Sequence, residues 1–180
     1  MLAVAGCGSS STPATASHTD THMTMTHHTM KGHAMRGQMM SGHAMLMQKM
    51  EAVPHAQLTT ASSHYGRVIY GADHLVLYAF SADHTSTSTC YGACAAAWPP
   101  LLTRGAPQVA GLNPALLGTT KRKNGSQQVT YGGHPLYYWS GDKPGTIMCQ
   151  HVNLHGGFWY VLGTNGKPNM AKGVGTMSMK

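Results

Sequence analysis

Two stretches of this chain spell the same phrase. Tyr78, Phe80 and Asp83 line up with Tyr137, Trp139 and Asp142, each set reading Tyr-x-aromatic-x-x-Asp. Tyr70-Gly71 likewise lines up with Tyr131-Gly132, and a tryptophan follows each aspartate, Trp98 in the first copy and Trp159 in the second. Self-similarity at a fixed period is the mark of one supersecondary unit used more than once, and here the period is near sixty residues. The motif has physical content. In a strand, the tyrosine and the aromatic residue two positions on share a face, and the aspartate three further on is placed to accept turn amides at the strand's end.

The surrounding sequence reads as strand. "YGRVIYGADHLVLYAFSAD", from residue 65, alternates apolar with polar residues and is rich in Val, Ile, Tyr and Phe. Gly71-Ala72-Asp73 interrupts it as a tight turn would, which predicts a hairpin of Arg67–Tyr70 with Leu75–Phe80. "SQQVTYGGHPLYYWSGD" repeats the design with Gly132-Gly133 at its turn, and 158–162 supplies another strand closed by Asn165-Gly166. The expected fold is all-β. Two related hairpin-containing repeats, about 65–105 and 126–165, form one small domain over 65–168, followed by a flexible tail at 169–180. Its aromatic residues are expected in the core rather than on a platform for glycan or quinone, since a β domain of roughly 110 residues needs large side chains to bury enough surface.

The duplicated unit, with "CYGACAAAWPPL" in the first copy and "QVTYGGHPLYYWSGD" and "GGFWYVL" in the second, resembles the secreted-repeat family. That family consists of predicted bacterial and archaeal lipoproteins with a Tyr-x-(Phe/Trp/Tyr)-x-x-Asp motif. The resemblance spans roughly residues 65–168 and implies a secreted, repeat-built protein. It brings no active site with it, because the family's function is unknown. Where the family's pattern reads Gly-Gln-Gly-Val after the second aspartate, this chain has Cys149-Gln150-His151-Val152, preceded by Met148 and followed by His155. Two small residues have become metal-ligand types.

Ahead of the repeats the composition changes completely. Residues 21–50 hold nine methionines and five histidines in thirty positions. Residues 8–64 contain almost no branched aliphatics, and methionine is flexible and specifies packing weakly, so this stretch is expected to be a low-complexity tether without a core. Over 35–52 methionines recur at helical spacings, with Gly37 and Gly42 opposing a helix. Thioethers are soft ligands that favour Cu(I), while imidazole accepts Cu(I) or Cu(II). In an extended segment residues i and i+2 point to the same side, so Met23 with Met25, Met45 with Met47, and Met177 with Met179 form chelating pairs. With Met30, Met39 and the neighbouring His22, His27, His28, His33 and His43, the arm reads as a binder of copper in either redox state. Zinc alone would explain the histidines but not the methionines. A second, weaker candidate is Met148, Cys149, His151 and His155, whose thiolate, imidazole and thioether are the ligand types of blue-copper centres.

The first residues place the chain. Val4-Ala5-Gly6-Cys7 matches the lipobox at which bacterial lipoprotein precursors are lipidated on cysteine and cleaved before it, and the Ser/Thr-rich run after Cys7 suits a tether. Residues 1–7 are then a remnant of the signal peptide. Only six residues precede Cys7, too few for a charged n-region and an apolar h-region of roughly 7–15 residues, so the true start is expected upstream. Outside the cytoplasm, Cys90 and Cys94 are close enough for a short disulfide. Cys149 is then the odd thiol, and its pairing with Cys90 or Cys94 stays open at this level.

Other classes fit poorly. The net charge of +7 is mostly a shortage of acid, with five carboxylates in the chain and Lys and Arg scattered, so no basic face marks a nucleic-acid binder. Asp83 and Asp142 occupy equivalent turn positions rather than forming an acid pair, and Cys149 with His151 lacks an orienting acid nearby. The chain therefore reads as a non-enzymatic lipoprotein anchored to the outer side of a bacterial cell-envelope membrane, binding copper or another transition metal through its arm. The competing reading is an envelope structural or interaction module, binding another envelope protein, in which the arm is only a spacer.

Overall fold

The computed structural model describes residues 51–173 and 177–178. Along the chain run β1 (Gln57–Ser63), β2 (Gly66–Gly71), β3 (Tyr78–Phe80), a short helix α1 (Ala93–Ala97), β4 (Leu102–Thr103) and β5 (Gln108–Val109). A 3-10 turn (Pro114–Leu116) leads into β6 (Leu117–Lys121), β7 (Gln127–Tyr131), β8 (His134–Pro135), β9 (Thr146–Ile147), β10 (Val152–Leu154), β11 (Gly157–Val161) and β12 (Met177–Ser178). The all-β reading holds for the described residues, with one five-residue helix among them where "ACAAA" concentrates the best helix former.

The predicted first hairpin is differently built. Its turn forms: Gly71 N donates to Leu75 O at 2.9 Å and Leu75 N to Asp73 Oδ1 at 3.2 Å. Beyond the Tyr70–Val76 bridge the two segments part, however, and β2 pairs along its length with β1. The reason is burial. Val68, Ile69 and Tyr70 are buried in succession, so β2 is covered on both faces and cannot be one arm of an isolated hairpin. β1 itself lies within the stretch read as tether. Leu58 is fully buried and Ala56 nearly so, and the Thr and Ser residues between them and the turn fit a pleated, half-buried strand. The folded domain therefore begins before residue 57, not at 65. The second hairpin turn, at Gly132-Gly133, joins β7 to β8 as expected, while the main partner of β7 is β6.

Each repeat closes its core with a strand from the other. Ile69 N donates to Leu162 O (3.0 Å), Leu162 N to Leu77 O (3.4 Å), and Leu77 N to Ile69 O (3.0 Å). A matching triangle joins Val129 N to Leu101 O (2.9 Å), Leu101 N to Leu136 O (2.9 Å), and Leu136 N to Val129 O (3.0 Å). The segment after Trp159 thus completes the first repeat, and the segment after Trp98 completes the second. Leu77, Leu136 and Leu162 are fully buried and share one apolar cluster with Leu58, Val129 and Tyr131. Main-chain donors and acceptors inside that cluster would be costly unpaired, which is why the exchanged strands are fixed in register.

Candidate functional site

The two repeats meet at their motif tyrosines. Tyr78 N donates to Tyr137 O at 2.9 Å and Tyr137 N returns the bond to Tyr78 O at 3.0 Å, an antiparallel bridge on the axis relating the copies. Each phenol then crosses that axis. Tyr78 OH donates to Asp142 Oδ2 at 2.7 Å, and Tyr137 OH donates to Asp83 Oδ2 at 2.7 Å. Each aspartate uses its other oxygen locally: Asp83 Oδ1 accepts from Thr89 N at 2.7 Å, and Asp142 Oδ1 from Met148 N at 3.1 Å. The expected turn-amide role of both aspartates is present, together with a partner in the opposite repeat.

The tryptophans stack beside this exchange. Trp98 and Trp159 lie face to face, centroids 3.8 Å apart and planes 4° off parallel. Tyr78 meets Trp98 edge-on at 5.2 Å, and Tyr137 meets Trp159 edge-on at the same distance. Phe80 extends the stack beyond Trp159 at 4.2 Å, and the half-buried Trp139 extends it beyond Trp98 at 4.7 Å. Four aromatic side chains therefore form one column, with the core phenols attached to its two inner rings. Trp159 Nε1 donates to Leu154 O at 3.1 Å, whereas the buried Trp98 Nε1 has no acceptor among the described residues.

Burial sets the electrostatics. The Tyr78 hydroxyl is pushed well above its ordinary range by burial first and by the Asp142 charge second. Burial likewise raises Tyr137, with Asp83 adding to it. Tyr70 is pushed up to about 12 by burial, with Asp142 contributing. Burial also raises the Asp83 carboxyl, against the lowering effect of its bonds from Tyr137 and Thr89.

Around Asp83 the segment just after β6 adds a buried cation. Arg122 donates to Ser88 Oγ (2.7 Å), Gln128 Oε1 (2.5 Å) and Cys90 O (2.7 Å), and lies 4.4 Å from the Tyr91 ring centre. Ser88 Oγ shares a 2.7 Å bond with Tyr137 OH, so Arg122, Ser88, Tyr137 and Asp83 form one chain of contacts. In the sequence Arg122 is one of the scattered Lys and Arg residues. It lies one residue past the end of β6, between exposed Lys121 and exposed Lys123, and no sequence pattern marks it as buried.

The sequence-predicted sites fall as follows. Cys90 and Cys94 form a disulfide with Cα atoms 5.3 Å apart. Cys7 and the arm ligands, His22, Met23, Met25, His27, His28, Met30, His33, Met39, His43, Met45 and Met47, lie outside the described residues, as do most of the helical spacings at 35–52. Of the second candidate set, Cys149 is fully buried with its amide 3.4 Å from the Tyr78 hydroxyl, so its sulfur does not face an ion arriving from solvent. Met148 is half-buried, and the His151 ring packs against Phe158 and Tyr160 at 5.1 and 5.3 Å. His155 is exposed at the β10–β11 turn. Among the described residues no group of three or more His, Cys, Asp or Glu is placed to hold a metal ion. None of their helices is long and apolar enough to cross a membrane.

The duplication has a family behind it. A family profile described as a secreted repeat of unknown function matches residues 59–102 and again 118–162. With two copies of that repeat, the chain belongs to this secreted-repeat family. It matches no curated protein and no solved structure.

Proposed function

We propose that this protein is a lipid-anchored, non-catalytic component of the bacterial cell envelope that binds copper through its His/Met-rich arm, the repeat domain serving as its folded base. The observation that carries this reading is the density of thioether and imidazole groups between His22 and Met47, including two Met-x-Met pairs. Soft thioethers suit Cu(I), imidazoles serve both redox states, and a secreted protein meets copper in either state. The lipobox residues Val4 to Cys7 support the anchor. The repeat domain supports the division of labour, because its motif residues are committed to one another in the core.

The test is a Cu(I) and Cu(II) titration of the soluble chain from residue 8, beside the same chain lacking residues 18–50. That deletion leaves β1 and everything after it in place. Several equivalents bound by the first and none by the second, with identical near-UV circular dichroism, would place the metal in the arm. Equal uptake by both would move attention to the repeat domain. Absence of micromolar binding by either would leave the interaction-module reading, with the arm as a spacer.

A further inference from the structure

We propose that the aromatic column is a one-electron relay, with Trp139 as its entry and the Tyr78 and Tyr137 phenols as its termini, so that the domain acts as a sink for small oxidising radicals. The geometry supplies each part. Trp139 is half-buried, while Trp98, Trp159, Tyr78 and Tyr137 are all fully buried. From Trp139 the rings continue without a gap: 4.7 Å to Trp98, then 3.8 Å to Trp159, with Tyr78 and Tyr137 each 5.2 Å from an inner indole.

What decides where an electron vacancy comes to rest is the proton. An oxidised phenol is a strong acid and an oxidised indole a much weaker one, so the vacancy settles where a base can take a phenol's hydrogen. Trp98 Nε1 has no acceptor among the described residues, and Trp159 Nε1 faces a main-chain carbonyl, which is not a base. Both phenols, by contrast, already point their hydrogens at a carboxylate 2.7 Å away. The indoles therefore pass the vacancy on and the phenols keep it. Core placement and a fixed acceptor are also what shield a phenoxyl radical from coupling with a second one.

The step balances with a radical anion such as carbonate radical as oxidant. That radical takes one electron from Trp139 and becomes carbonate. Trp98 refills Trp139, and Tyr78 refills Trp98. As Tyr78 loses its electron, its proton crosses to Asp142, leaving a neutral phenoxyl beside a carboxylic acid. The branch through Trp159 ends in the same way at Tyr137 and Asp83. The chain's net charge of +7 favours approach of an anionic oxidant. None of this depends on what the arm binds.

Pulse radiolysis of the soluble chain from residue 8 in azide solution is the test, because azide radicals oxidise indoles first. The indolyl absorption should convert to phenoxyl absorption in a first-order step whose rate does not change with protein concentration. Trp98→Phe should slow that step at least ~10-fold, and Asp142→Asn should slow the branch through Tyr78 comparably. Trp139→Phe leaves the fully buried rings in place, and should cut the yield of converted radical severalfold. A conversion rate proportional to protein concentration in the unsubstituted chain would overturn the proposal, whatever the variants do. So would an unchanged phenoxyl yield from a folded Tyr78→Phe/Tyr137→Phe chain.

Discussion

The two halves of this molecule use one motif in two settings. In the second repeat, Asp142 is buried and held by protein amide and phenol, with Met148 N on one oxygen and Tyr78 OH on the other. In the first, Asp83 is only half-buried and sits at the end of a chain running through Tyr137 and Ser88 to the buried Arg122. The following segment differs too. A disulfide and a short helix deliver Trp98, where a β-hairpin delivers Trp159. What stays constant is the exchange across the axis, and what varies is everything between Asp and Trp. The motif is thus a rule for joining repeats, and the loops beyond it are free to diverge.

The largest expected effect strikes both halves alike. Tyr70, Tyr78, Tyr137 and Tyr138 are all raised above the ordinary 10.0, Tyr70 to about 12. Phenols whose folded pKa is raised contribute stability that is full below pH 10 and is lost as pH climbs toward the folded value. The loss is roughly 1.4 kcal/mol per phenol per pH unit above 10. Spectrophotometric titration should therefore show these phenols ionising together with a cooperative loss of near-UV circular dichroism between pH 10 and 12. Independent ionisation of each phenol at its ordinary pH would contradict the buried exchange.

Next in size, Trp98→Ala and Trp159→Ala should each cost ~3–5 kcal/mol in urea unfolding, because either removes an inner ring of the column. Near-equal losses would support the symmetry, and a large inequality would break it. Tyr78→Phe and Tyr137→Phe should then separate the halves. Tyr78→Phe takes a donor from buried Asp142 and should cost about 2–3 kcal/mol. Tyr137→Phe leaves Asp83 held by both Thr89 groups and half-open to water, and should cost about 1 kcal/mol. Equal losses would mean that the two environments do not matter. Between those two losses, Cys90→Ser with Cys94→Ser should cost about 2 kcal/mol, since the bridge closes a very short loop.

How much of this was legible beforehand follows from what a sequence can carry. The Tyr-x-aromatic-x-x-Asp phrase is local and was read directly, as were the turns at Gly71 and Gly132 and the short disulfide. The phenol-to-carboxylate bonds were not, because Tyr78 meets Asp142 and not Asp83, and nothing in the spacing of one copy says that its partner is the other. β1 went unread because Gln57–Ser63 carries one large apolar residue, Leu58, in seven. The departure of β3 from β2 to β11 was hidden for a related reason. Tyr78, Ala79 and Phe80 are all buried, so the alternation that would assign a face is missing. The arm's chemistry is written in residue type alone.

The crossed leucines have a consequence for how such a chain can come together. A single repeat would leave Ile69 N and Leu77 O facing an empty lane where Leu162 now lies, and would carry Leu101 with nowhere to dock. It could close only by embracing a second copy of itself, and its folding would then depend on how dilute it was. Carrying both copies on one chain makes that meeting intramolecular. The segment between β4 and β6 holds the two at an effective concentration that dilution cannot lower. Outside a cell, where proteins disperse, such a chain can fold alone.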